Sequence, residues 1–308
     1  MTSHLATGTE PQSRDSATQG ELTSSAPLIP TQSPHPPLTL PANLPSEVAD
    51  LVKSLPEPLQ TAVIAALNTP DGVRLTMGNA KGGVMKTTLS VYIALILALT
   101  GEPVLLVDAD ETNKTCLKWQ ATAGDNWPGL VTVVGYAGSA SGATMPKFVN
   151  DLMARGFKHL IIDVGPTDKG VLKMAWGLTK RGIVPTQQYV GDVVQLTTTF
   201  ALLAEMGEPV DLKVVLARTF PNRTSYGRAQ DYVRGLIGGA SPDHPNGLPT
   251  VTLLDGTVPH LEGIAETWGD IPDDFGHFAS VLAEALGVDS AELASRIKAE
   301  DDAHAGVR

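Results

Sequence analysis

From Gly72 onward, short apolar runs alternate with segments of helical periodicity, and that rhythm restricts the chain to few folds. Strands covered on both faces by helices read as continuous apolar runs, the mark of a mostly parallel sheet. Candidate strands lie at 74–77, 104–107, 130–134, 159–162, 182–185, 212–217 and 250–254. Helices are expected at 87–99, 145–155, 169–179, 192–206 and 225–237, and the pattern from Asp273 predicts one or two more. The expected fold class is therefore α/β, with a mostly parallel sheet flanked by helices on both faces.

Composition divides the rest of the chain. Residues 1–45 are rich in Ser, Thr and Pro and contain no Phe, Trp or Tyr. Such a segment buries too little apolar area to offset its ordering entropy, so a disordered tail is expected there. Residues 46–70 read as a helical lead-in. Val48, Leu51, Val52 and Leu55 share one helical face, and Leu59, Ala62, Val63, Ala66 and Leu67 repeat the pattern after Pro56 and Pro58. The main domain is expected to span 71–290, leaving 291–308 as a C-terminal helix or tail.

The single cysteine, Cys116, excludes an intramolecular disulfide and a cysteine-cluster metal site within one chain, which suits a reducing compartment. No apolar run approaches the roughly 18 residues of a membrane span, and no basic start precedes an apolar stretch, so a cytoplasmic protein without membrane contact is expected. A net charge of −11 argues against a surface given over wholly to nucleic acid, though a local basic patch remains compatible with it.

The segment RLTMGNAKGGVMKTTLSVYIALILAL runs from a strand through a glycine turn into an apolar helix. Such a turn gathers backbone N–H groups into one concavity, and the helix N-terminus adds partial positive charge, so a polyphosphate is stabilised there. Gly82 and Gly83 allow close backbone approach, Lys86 supplies a cation to the β- and γ-phosphates, and the Thr87 hydroxyl can ligate Mg²⁺. The common pattern G-x-x-x-x-G-K-[ST] is not met, because Ala80 and Met85 stand where glycines belong. Two acidic signals follow. VLLVDAD delivers Asp108 and Asp110 to the carboxyl edge of the sheet, where open α/β folds bind ligands, and HLIIDVGPTDKG delivers Asp163 before a Gly-Pro turn.

In this order the three segments resemble the ParA/MinD family of ATPases, whose variant Walker A loop reads K-G-G-x-x-K-T. Lys81, Gly82, Gly83, Lys86 and Thr87 fall in register with it, and Asn79 stands where that family often has Asn. The likeness covers Leu75 to Pro166 directly. It implies a P-loop NTPase fold of the SIMIBI type, with ATP held by Lys81, Gly82, Gly83, Val84, Met85, Lys86, Thr87 and Thr88. By the same resemblance Lys81 reaches the partner's phosphates in a homodimer that sandwiches ATP, and Asp110 orients the attacking water. Thr87, Asp108 and Asp163 are the implied Mg²⁺ residues. Met85 replaces a glycine common in the family, and Glu111-Thr112 replaces its usual Pro-Gln.

Further on, VVLARTFPNRTSYGRAQ resembles part of the shorter, ParF-like plasmid partition ATPases. Arg218, Arg223, Arg228 and Arg234 gather here, either as a surface for DNA phosphates or as an ordinary solvated helix face. The resemblance implies an ATP-dependent dimer on non-specific DNA, nucleoid-associated, with weak ATPase activity stimulated by a ParB-like partner in plasmid or chromosome partition. Conjugation-accessory ATPases share these motifs. A MinD-like membrane-positioning role would call for a basic amphipathic C-terminal helix, whereas VDSAELASRIKAEDDAHAGVR carries more acids than bases.

Overall fold

A computed structural model of the chain describes residues 38–138, 144–220, 223–239, 247–248, 250–260, 262–289 and 291. Seven strands form one sheet: β1 (Arg74–Met77), β2 (Val104–Ala109), β3 (Val131–Gly135), β4 (His159–Val164), β5 (Arg181–Thr186), β6 (Asp211–Thr219) and β7 (Val251–Pro259). Their spatial order is β3-β2-β4-β1-β5-β6-β7, and every neighbouring pair is parallel. The glycine turn after β1 therefore leaves the sheet between β4 and β5, at the edge where the strands end.

The helices are α1 (Ser46–Ser54), α2 (Glu57–Leu67), α3 (Lys86–Ala98), α4 (Thr115–Ala123), α5 (Met145–Met153), α6 (Lys169–Thr179), α7 (Val190–Val194), α8 (Leu196–Ala204), α9 (Arg223–Gly238), α10 (Glu262–Glu266) and α11 (Gly276–Ala285). Because side chains alternate along a strand, each central strand feeds two cores. Leu75, Met77, Leu106 and Ile161 pack with α2, α3, α4 and α11 on one face. Leu105, Val107, Leu160 and Ile162 pack with α5, α6, α8 and α9 on the other. Every residue of α3 from Leu89 to Ala98 is buried, so this helix is apolar all round and anchors the turn that precedes it.

Departures from the expected elements have local causes. The helix expected at 192–206 is two, with i→i+3 bonds Gln195 N–H to Asp192 O and Thr198 N–H to Gln195 O at the junction. Helix α4 was not anticipated: no side chain of its own caps it, and Lys114 precedes it in the left-handed region at φ 48°. Instead the Asp108 carboxylate, on β2, accepts from the Leu117 N–H at 3.1 Å, a cap that short-range pattern does not reveal. Helix α10 was also not anticipated, and β6 and β7 run longer than expected, β7 to Pro259. Within the expected tail, Leu38 and Leu40 are partly buried against the core that includes α2, α3 and α11, and the Thr39 carbonyl accepts from Asn68 Nδ2 at 2.9 Å. The rest of the expected tail, 1–37, and the C-terminal segment 292–308 lie outside the described residues. Among the described residues no helix is long and apolar enough to cross a membrane.

Candidate functional site

The turn from Gly78 to Met85 is held from behind. Asn79, almost fully buried, donates to Pro185 O at 2.8 Å, while its Oδ1 accepts from the Lys81 N–H at 2.9 Å and the Thr199 hydroxyl at 3.1 Å. The Ala80 N–H donates to Thr199 Oγ1, and Gln187 Nε2 donates to Gly83 O at 3.0 Å. At the crest Gly83 adopts φ +73°, a conformation natural to glycine.

Met85 is also left-handed, at φ 70° and ψ 21°, directly before α3. A side chain there costs about 1–2 kcal/mol. Its compensation is packing: Met85 is 8% exposed and belongs to the α3 core. The glycine missing from the usual pattern is thus replaced by a residue that keeps the glycine's backbone conformation and spends its side chain on the hydrophobic interior.

The backbone N–H groups of Gly82, Gly83 and Val84 donate to no protein acceptor among the described residues. Val84 is fully buried, and buried amides are nearly always paired. The turn therefore offers unmatched donors to an external acceptor. Beside them Lys86, 7% exposed, donates from Nζ to Lys81 O at 2.6 Å. Burial lowers the Lys86 pKa, opposed by the charges of Asp163 and Asp110.

Below the turn the Thr87 hydroxyl donates to Asp163 Oδ2 at 2.7 Å, and the Ser90 hydroxyl donates to Asp163 Oδ1 at 2.9 Å. The buried thiol of Cys116 also faces Oδ2, at 3.5 Å. Burial raises the Asp163 pKa, while the two hydroxyls and Lys86 oppose that rise. In the sheet Asp163 pairs in register with Asp108 of β2. Asp108 is fully buried, and burial pushes its carboxyl up to about 6 against the N–H bonds from Leu117 and Asp110. Its oxygens thus hold the chain that leads into α4.

Asp110 stands further out. Its Oδ1 accepts from the N–H groups of Thr112 and Asn113 at 3.2 and 3.0 Å, and Oδ2 accepts from Asn113 Nδ2 at 2.9 Å. A Cβ at Gly165 would fall 2.9 Å from Asp110 Cγ, so Gly165 is what admits this carboxylate beside the β4 turn. Glu111 is exposed, with its carboxylate beside Gly138, and it does not line the cleft.

Together Gly82 to Thr88, Asp110, Asn113, Thr115, Val164, Pro166 and Arg218 line a cleft of about 260 Å³. Lys81 is outside that lining, with its ammonium paired to Asp192 on α7. The expected arginine cluster is divided. Arg218 faces the cleft, Arg228 and Arg234 lie exposed on α9, and Arg223 opens that helix. Sequence reasoning assigned no role to Ser90 or Gly165 within the quoted segments, nor to Asn113, Gln187 and Thr199, which lie outside them; Gln187 and Thr199 meet the turn only through the fold.

The donor set suits a magnesium polyphosphate: unmatched amides, a buried ammonium, and a hydroxyl already bonded to a carboxylate, all at the carboxyl edge of a parallel sheet. Residues 73–134 match the family model described as an AAA domain. The structure of McdA from Cyanothece, in its apo form, superposes with TM-score 0.53 at 16% identity, covering 70% of this chain and 99% of that one. This is the ParA/MinD P-loop ATPase fold. Another ParA/MinD-type structure, the septum site-determining protein MinD of Pyrococcus horikoshii complexed with Mg-ADP, gives 0.50 at 19% identity, covering 71% and 97%. A plasmid partition protein of Borrelia burgdorferi bound to AMPPNP gives 0.50 at 13% identity, covering 70% and 97%. No curated protein sequence matches the chain. At identities this low the superpositions show the fold alone, and the individual role is left to the site itself.

Proposed function

We propose that this chain is a ParA-type ATPase that dimerises around ATP, binds DNA non-specifically in that state and serves plasmid or chromosome partition. The observation carrying the reading is the joint placement of unmatched turn amides, Lys86, and the Thr87–Asp163 hydrogen bond around one cleft. Amides of Gly82 to Val84 would receive phosphate oxygens, and Lys86 would exchange the Lys81 carbonyl for them. Magnesium, when bound, neutralises the polyphosphate and would be held by Thr87 and Asp163, with Asp108 behind. Asp110, fixed by three hydrogen bonds, is suited to orient a water and accept its proton. Chemistry of this kind rests on positioning and charge, so a single chain should turn over slowly until a ParB-like partner completes the site.

A second copy is supported by the surface around the cleft. Tyr189, Val190, Val194 and Phe220 are large apolar side chains left exposed at or just beyond the carboxyl ends of β5 and β6. Lys81, paired with Asp192, stands on this same side, from which it could reach a partner's phosphates. Arg228 and Arg234 supply exposed positive charge for duplex DNA. The test is retention of a non-specific duplex with ATP, with ADP and without nucleotide. Retention with ATP alone supports the reading, and equal retention in all three states, or none in any, rejects it.

A further inference from the structure

We propose that the chain binds a small organic ammonium in a second cavity, with the Asp273 carboxylate receiving the charge and the apolar body of the ligand lying over Tyr92 and Phe278. This cavity shares no lining residue with the nucleotide cleft, and the assignment does not depend on the ATP reading. It encloses about 240 Å³ between α3, α10, α11 and the stretch that joins the last two. Its floor belongs to the core. Tyr92 on α3 and Phe278 on α11 are 1% and 2% exposed and stack on each other with ring centroids 3.8 Å apart, while Ile264 and Pro272 add apolar wall. A small recess closed at its base by two rings suits a compact molecule with one apolar body.

The polar wall of the cavity accepts hydrogen bonds and hardly donates any. The Thr267 hydroxyl gives its proton to Ile264 O at 2.9 Å, so in its 3.0 Å contact with Tyr92 the phenol is the donor. Both hydroxyl protons are thereby used within the protein. Among the lining side chains this leaves His277 as the only one with a donor to offer, against the carboxylates of Asp273 and Asp274. Asp274 has a structural task, accepting from the Gly276 N–H at 2.8 Å where α11 begins. Asp273 is exposed and makes no hydrogen bond or ion pair among the described residues.

Asp273 also lines a neighbouring cavity of about 450 Å³, together with Glu266 and Asp270. Among the described residues no Lys or Arg lines either cavity. Carboxylates grouped without a cation repel one another, and their field at the mouth of an apolar recess favours a cationic donor over a neutral or anionic guest. Gly263 makes the site accessible to test. It lines both cavities, and a Cβ added there meets no atom within 4 Å, so a larger side chain has room to occupy the recess.

NMR titration of the full chain at neutral pH tests this with 2-phenylethylamine, 2-phenylethanol and phenylacetate, which are alike in shape and differ in charge. Wild type, Asp273→Asn and Gly263→Phe are compared, with circular dichroism verifying that both variants keep the fold. Wild type should bind the amine saturably at one site per chain, and the alcohol and the carboxylate at least about 5-fold more weakly. Asp273→Asn should bind the amine about 5-fold more weakly than wild type, the upper range for one exposed charge pair, and Gly263→Phe should not bind it. Failure of wild type to bind the amine, or equal affinity for all three compounds, would overturn the assignment. So would amine binding that Asp273→Asn leaves unchanged or that survives in Gly263→Phe.

Discussion

The ammonium of Lys86 lies 2.6 Å from the carbonyl oxygen of Lys81, so one lysine of the turn closes the loop by bonding the backbone of the other. The Lys81 side chain is meanwhile paired to Asp192. Both cations therefore have protein partners to leave before they can meet phosphate.

Thr87→Val keeps the shape of the side chain and removes the hydroxyl that donates to Asp163. Asp163 keeps Ser90, so stability should fall by about 1–3 kcal/mol in urea denaturation, the cost of an under-satisfied buried polar group. Magnesium dependence of nucleotide binding should fall with it. Unchanged stability together with unchanged magnesium dependence would show that this hydrogen bond has no such role.

Met85→Gly sets two terms against each other. Relief of the left-handed backbone returns about 1–2 kcal/mol, whereas loss of a core methionine side chain costs roughly 2–5 kcal/mol. The net expectation is destabilisation, with Met85→Ala destabilised further because it loses the side chain and keeps the strain. A Met85→Gly protein more stable than wild type would show that the buried side chain contributes little.

Buried His159 accepts from the Val73 N–H at 3.0 Å through Nδ1 and meets Thr100 Oγ1 at 3.1 Å through Nε2. Burial, with some help from the Lys158 charge, depresses its pKa from 6.5 to about 4. Neutral imidazole is the folded form, so its stabilisation is complete above 6.5 and is lost as pH falls toward 4. Asp108 acts in the opposite sense: its carboxyl, raised from 3.8 to about 6, favours the folded state at low pH and loses that contribution as pH rises through 6. The clean observable is a difference. Between pH 4 and 6.5, wild type should gain about 3 kcal/mol of stability relative to His159→Gln. Parallel stability curves for the two proteins would rule out this titration.

Much of this was legible from the sequence because its signals are local. The run from Leu75 through Lys86 announces strand, turn and helix within one stretch, and VLLVDAD and HLIIDVGPTDKG each end an apolar strand in acid. What stayed hidden depends on contacts across the sheet. Helix α4 is started by Asp108, nine residues before Leu117 in the chain. Asp110 has room only because Gly165 lacks a Cβ. Arg218 read as one of four clustered arginines, whereas it stands on β6 before α9, at a register shift against β7, and lines the cleft.

The central claim is that the turn from Lys81 to Thr88 grips a magnesium nucleoside triphosphate, and titration calorimetry of Mg·ATP into the full chain tests it most directly. Wild type is predicted to show saturable binding at one site per chain, and Lys86→Ala to show none. A flat titration of wild type, or an isotherm that Lys86→Ala leaves unaltered, would contradict the account.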